Sequence, residues 1–429
     1  MRSSERTWLI TYYWPPASGP GVHRWLRFAR LWPRHLPPLT VVAPEGAAYP
    51  QKDRELERQV PPELSVVRVP ILEPGQFLNI NPGTAFVSGT QSWKTWFSAW
   101  LRGNLFIPDP RVFWVRPLVH YLRDEIHRYQ QPVVITTGPP HSVHLAGLRL
   151  KRKIPRLIWI ADFRDPWLEI DYMAHLRLTP VARWCHQNLE KKVVRNADLI
   201  TVISPSMREL MEKKTTKPVE VIPNGMDPRL LPTPDLNYYP NEFQIVHTGS
   251  MPLERDAPEL WTALASLSLP IKVRLIGQVD PRIIQGFQSR GLGQRVEVAP
   301  PVAHAQSLKE QQQAALLLVV ANRTAHSGTI LTGKIFEYLA SGRPILAIGP
   351  EGGDLHQLIT KSGAGWFIPY GQEELMCKAV TDAYQLWQKG QLVTQERPLH
   401  LYGSDHPLEI LSRRLSLLLE TRANQGSKA

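Results

Sequence analysis

The chain has almost no cysteine: two in 429 residues, Cys185 and Cys377, far apart and without CxxC spacing. This excludes a disulfide framework and a cysteine-based zinc site, and it points to a reducing, cytoplasmic setting. Long hydrophobic runs are also missing. The longest, Ala314 to Ala321, is less than half a bilayer span. The apolar stretch Trp8 to Tyr13 is too short for the core of a signal peptide and stops at Pro15-Pro16. No membrane-spanning segment is expected. No Gly-x-Gly-x-x-Gly follows a strand-like run, which weakens a dinucleotide reading. No Asp-x-Asp stands at a strand end, so no essential metal is expected. Repeats, low-complexity tracts and nucleic-acid-binding motifs are absent.

What remains is an ordinary globular composition, 43% hydrophobic and 21% charged, on a chain long enough for two domains. Its charge is unevenly placed. Residues 1–225 hold 31 Lys and Arg against 19 Asp and Glu, and residues 226–429 hold 19 of each. The whole formal excess of +12 therefore lies in the first half. A basic half beside a neutral one suits an anionic partner such as phospholipid or a phosphorylated substrate.

Strand-like apolar runs alternate with helical periodicity throughout, the pattern of an α/β protein with parallel sheets. Trp8 to Tyr13, Leu39 to Ala43, Val133 to Thr137, Leu157 to Ala161 and Leu199 to Ile203 read as strands of a first domain, residues 1–228. A Pro-rich linker is expected over 229–240. Phe243 to Thr248, Lys272 to Ile276, Val296 to Ala299, Leu316 to Val320 and Pro344 to Ile348 restart the pattern in a second domain, 241–400. Residues 401–429 read as a terminal helix that packs back toward the first domain. The architecture expected is two Rossmann-like, doubly wound domains facing across a cleft. Ligands of such sheets bind at the C-terminal ends of the strands, where the motifs should gather.

Several do stand there. Gly19 and Gly21 open a helix after the first strand, where small residues and free N–H groups suit a phosphate. Thr137-Gly138-Pro139-Pro140-His141 follows another strand; Ser142 reads as a helix cap, and His141, or less favourably His144, as a partner for an acceptor hydroxyl or phosphate. Asp162-Phe163-Arg164-Asp165 follows a third, two carboxylates around an arginine that can meet sugar hydroxyls or developing charge. In the second half Gly249 ends a strand and Arg255 follows, a guanidinium able to grip both oxygens of a diphosphate. The run from Gly328 to Leu346 opens a helix with glycines, places Lys334 in its first turn and Glu337 one turn later. Lys334 can neutralise diphosphate charge and Glu337 can accept both ribose hydroxyls. Gly352 and Gly353 close the loop after the next strand.

"YYWPPASGPGVHRWLRFA", "ADLITVISPSMRELM" with "VEVIPNGMD", and "GKIFEYLASGRPILAIGPEGGDLHQLI" resemble the large retaining glycosyltransferase family often called family 4 of the GT-B superfamily. The resemblance runs from about Trp8 to about Pro369. It implies a nucleotide-diphosphate-sugar donor held by Arg255, Lys334 and Glu337, with Gly277 near the base. No cofactor is implied, because the donor is a substrate. The acceptor is expected to be lipid-linked or a saccharide, and the product a cell-surface glycan. The chain departs from the family at Thr329, where members carry a second glutamate on the donor sugar, and at Arg164-Asp165, where many carry histidine. A nucleotide-sugar 2-epimerase and a non-catalytic nucleotide-sugar binder are the alternatives.

One more feature bears on the acceptor. In Gln91 to Ile107, Trp93, Trp96, Phe97, Trp100 and Leu101 share a helical face. Such a stripe either packs on the core or meets a bilayer interface, where basic residues Arg149 to Arg156 would add attraction to anionic lipid. Peripheral contact with the inner face of the membrane is the expectation it supports.

Overall fold

Seven parallel strands make the first sheet: β1 (Glu5–Thr11), β2 (Leu39–Glu45), β3 (Ser65–Pro70), β4 (Gln131–Gly138), β5 (Ile158–Phe163), β6 (Leu199–Val202) and β7 (Val219–Val221). Their order is β3-β2-β1-β4-β5-β6-β7. The computed structural model describes residues 5–49, 52–73, 93–170, 172–225, 240–324, 326–329, 331–392, 403 and 405–426. Leu9 pairs in register with Val41 on one side and Ile135 on the other. The central strands are mostly apolar because helices cover both faces of a parallel sheet. Their alternate residues feed two separate cores. Trp8, Ile10 and Val134 join one cluster, and Leu9, Val133 and Ile135 join the other.

Six parallel strands make the second sheet: β8 (Gln244–Thr248), β9 (Lys272–Ile276), β10 (Val296–Ala299), β11 (Leu316–Val320), β12 (Ile345–Gly349) and β13 (Gly365–Pro369), in the order β10-β9-β8-β11-β12-β13. The same alternation sends Ile245, Leu316 and Leu318 to one core and Val246 and Leu317 to the other.

Contacts divide the chain into two units, Met1–Asn224 with Asp405–Ala429, and Gly225–Ser404. The helix Asp405–Gly426 belongs to the first unit: Leu408, Leu411 and Leu415 lie in the same core as Leu9 and Trp25. Arg414 pairs with Glu220 at 2.5 Å, Arg422 with Asp198 at 3.2 Å, and His35 Nε2 lies 2.8 Å from Ser412 Oγ. Of the linker expected over 229–240, only Pro240 is among the described residues.

Three strands escaped the sequence reading, β3, β7 and β13. All three are edge strands that are only partly covered, so Ser65, Arg68, Glu220 and Gly365 dilute their apolar signal. The expected helix in Gln91–Ile107 forms as Trp93–Asn104, but the side chains of Trp93, Trp96 and Phe97 lie outside the described residues.

Strand order reverses direction between β1 and β4 in one sheet and between β8 and β11 in the other. The loops leaving the two strands on either side of such a point diverge and open a crevice at the carboxyl edge.

Candidate functional site

In the first unit, the crevice lies between the loop after β1 and the loop after β4. Asp162, at the end of β5, is fully buried and accepts four hydrogen bonds. They come from Arg24 Nη2 (3.0 Å), Trp25 Nε1 (2.8 Å), Thr137 Oγ1 (2.8 Å) and Thr201 Oγ1 (2.7 Å). Burial pushes its carboxyl up, but the Arg24 charge and these donors outweigh burial and hold it below the ordinary range. With both oxygens saturated, Asp162 welds the helix Pro20–Arg30 to β4, β5 and β6. The sequence reading placed it among the reacting groups; the structure makes it a brace.

Arg164, two residues on, is anchored by backbone carbonyls rather than by a carboxylate. Nε donates to Gly138 O at 3.2 Å and Nη2 to Pro139 O at 2.6 Å. Nη1 rests on Gly21, where any side chain would collide with it. The guanidinium therefore bridges the two loops of the switch point. Among the described residues Asp165 has no hydrogen-bond partner, and burial pushes its carboxyl up, partly offset by Arg164. His141 is 3% exposed and stacks on Trp167 at 4.8 Å, and among the described residues neither ring nitrogen makes a well-formed hydrogen bond. Burial, then the neighbouring His144 and Arg164, hold His141 neutral, well below the usual histidine range. His144 stacks on Phe163 at 4.4 Å, and its Nδ1 lies 2.9 Å from Thr136 Oγ1. Burial lowers it to about 3.

Ser142 does not cap the following helix with its own oxygen. It donates instead, N–H and Oγ both to the Asp109 carboxylate at 2.8 and 2.7 Å. A further group had no sequence signal, because its members are far apart in the chain. The Tyr12 hydroxyl donates to Glu73 Oε1, Ala48 N–H to Oε2 at 2.8 Å, and Arg111 lies over the Tyr12 ring at 5.1 Å.

In the second unit, the crevice lies between β8 and β11, and Arg255 and Lys334 meet there. Gly249 ends β8 with φ +103°, and Lys334 Nζ occupies the space that a side chain on Gly249 would take. Gly277 (φ +142°) packs against Gly249. Arg255 Nε donates to Asn322 Oδ1 at 2.7 Å, and Nη1 to Ser250 O at 3.3 Å. Asn322 is itself fixed, its carbonyl accepting from Tyr370 OH at 2.8 Å. Sequence reading missed Asn322, which follows β11 by two residues and carries no motif.

Lys334 starts the helix Lys334–Ser341. Burial and the Arg255 charge lower it to about 8 against the opposing pull of Glu337. Glu337 lies 3.1 Å from His304 Nε2 and accepts from Gln311 Nε2 at 3.2 Å. Gly353 precedes the helix Asp354–Ser362 and packs on Gly328, while Gly352 N–H donates to His356 Nδ1 at 3.0 Å. Thr329 donates to His326 O at 2.9 Å within its own turn. The unit thus gathers two cations, a helix N-terminus and a carboxylate one helical turn further on. That set can bind a diphosphate and a vicinal diol. Among the described residues, no three His, Cys, Asp or Glu side chains are grouped to hold a metal ion.

Comparison with known proteins bears on both units. Residues 97–230 match the model of Glycosyltransferase Family 4. No curated protein sequence matches the chain. Among solved structures, sucrose-phosphate synthase from Thermosynechococcus elongatus is 15% identical with a TM-score of 0.65, covering 97% of this chain and 100% of its own. HepE from Anabaena, in complex with UDP-glucose, is 14% identical with a TM-score of 0.61 over 96% and 99%. The trehalose 6-phosphate synthase from Burkholderia multivorans is 11% identical with a TM-score of 0.59 over 99% and 98%. At such identities the likeness establishes the fold, two parallel-sheet Rossmann-like domains of the GT-B type.

Proposed function

We propose that the protein is a glycosyltransferase that moves a sugar from a nucleotide diphosphate to a membrane-associated or saccharide acceptor. The observation that carries this reading is the convergence of Arg255, Lys334 and a helix N-terminus at the β8–β11 crevice, with Glu337 one turn beyond. The family match over residues 97–230 and the UDP-glucose held by HepE support it. Transfer breaks the bond from the anomeric carbon to the diphosphate oxygen, which keeps the electron pair. Arg255, Lys334 and helix N–H groups stabilise that charge without a metal. The acceptor oxygen forms the new bond, and its proton passes to Asp165, whose carboxylate has no hydrogen-bond donor among the described residues, with His141 as a neutral hydrogen-bonding group beside it. Arg164, which fills the space over Gly21, orients the acceptor, and Gly19 leaves the backbone after β1 open to the donor phosphate. Both cysteines are free thiols, in keeping with work in the cytoplasm.

A panel of nucleotide sugars tests the reading by thermal shift and by transfer to saccharide and lipid-linked acceptors. One donor should stabilise the fold and be consumed only when acceptor is present. Glu337→Ala should weaken that donor about tenfold or more without unfolding the protein. Isomerised donor without acceptor identifies an epimerase, and binding without turnover identifies a non-catalytic binder. Stabilisation by no nucleotide sugar refutes the reading.

A further inference from the structure

Seven of the tryptophans, Trp8, Trp14, Trp25, Trp114, Trp159, Trp167 and Trp261, are at most 3% exposed, whereas Trp184 is 62% exposed. Trp184 stands in the second turn of the helix Pro180–Asn196. That helix buries Ala182, His186, Glu190, Val193 and Val194. Its outward face carries Val181, which is 72% exposed, then Trp184, and then exposed Lys191, Lys192 and Arg195. No carboxylate lies on that face. The helix's one acid, Glu190, is turned inward and paired with Lys214 at 2.7 Å. A second element extends the apolar end. Asn104 Oδ1 accepts from Thr179 N–H at 2.7 Å and its Nδ2 donates to Arg177 O at 3.3 Å, which brings Leu105, 64% exposed, to the start of the helix.

The basic stretch that the sequence suggested as a lipid contact is partly used elsewhere. Lys151 is held by Asp198 at 2.6 Å, and Arg156 donates to the carbonyls of His127 and Tyr129.

We infer that the outward face of Pro180–Asn196, with Leu105, docks on an anionic lipid surface. Cations without acids select negative headgroups, and indole and aliphatic side chains settle at headgroup depth. The inference rests on the proposed glycosyl transfer for its purpose, since the inner face of the same helix touches the candidate acceptor site. The Trp167 indole donates to His186 Nδ1 at 3.2 Å, and Trp167 in turn stacks on His141. A lipid-borne acceptor would thus meet the protein one helix thickness from the groups that receive it.

Co-sedimentation tests the surface directly, with vesicles of phosphatidylcholine alone and with one third phosphatidylglycerol. The protein should bind only the anionic vesicles and be released as salt rises. Lys191→Glu with Arg195→Glu should cut partitioning about 25-fold or more, and Trp184→Ser about tenfold. Wild-type binding that is absent, indifferent to lipid charge, or unchanged in both variants overturns the proposal. So does loss of a dimer on Trp184→Ser in size-exclusion light scattering, which would make the face a contact between copies. UDP thermal shift on the same preparations separates this outcome from failure of the transferase reading, because the donor residues lie in the other unit.

Discussion

Lys334 offers the sharpest test of the donor chemistry, because its environment sets a pH at which binding should change. Burial lowers this ammonium to about 8, Arg255 lowers it further and Glu337 opposes both. His247 also faces it; burial and the Lys334 charge hold that ring at about 3, so it stays neutral over the range of interest. The Arg255 guanidinium keeps its charge throughout. Only Lys334 then titrates between pH 7 and 9 in this set. A diphosphate requires the ammonium form, so binding is strongest below pH 8 and weakens as the lysine loses its proton. At pH 7 about nine tenths of the lysine is charged and at pH 9 about one tenth, so the dissociation constant should rise about tenfold. Calorimetric titration with UDP at pH 7, 8 and 9 measures this. In buffers of different ionisation enthalpy it should also record uptake of about one proton per UDP at pH 9. Lys334→Met should bind weakly at every pH and lose the slope. A flat wild-type profile, or a slope that survives in Lys334→Met, refutes the assignment of Lys334 to the diphosphate.

The two carboxylates at the end of β5 should separate cleanly. Asp165→Asn should lower turnover by about 10²-fold or more while leaving UDP affinity unchanged, as expected for a proton acceptor; equal loss of both would assign it to structure. Asp162→Ala strands Arg24 and three other buried donors, so it should cost about 3–5 kcal/mol in urea unfolding. A loss under about 1 kcal/mol would show that the brace is not needed.

The fold was legible because both sheets are parallel and buried on both faces, which writes central strands as plain apolar runs. Lys272–Ile276, Val296–Ala299 and Leu316–Val320 were read to the residue. Of the edge strands only β10 was, since half-covered strands such as β3 need no such run. At the sites, sequence shows which residues follow a strand but not which way they are spent. Asp162 and Asp165 sit three apart in one motif; four donors saturate the first and, among the described residues, none reaches the second. Asn322 and Glu73 were invisible because each acquires its role from partners tens of residues away. The tryptophans after Gln91 drew attention through periodicity, whereas Trp184, alone in a basic helix, has none.

The helix Asp405–Gly426 completes the core of the unit to which the first strands belong, and this orders events during synthesis. The second unit is one continuous stretch, Gly225–Ser404, and can close its sheet as soon as that stretch leaves the ribosome. The first unit emerges earlier but lacks Leu408, Leu411 and Leu415 until translation has passed the whole of the second. Its half-finished core around Leu9 and Trp25 must wait with apolar surface uncovered, a state open to chaperones and to aggregation. The unit made first is thus the one finished last.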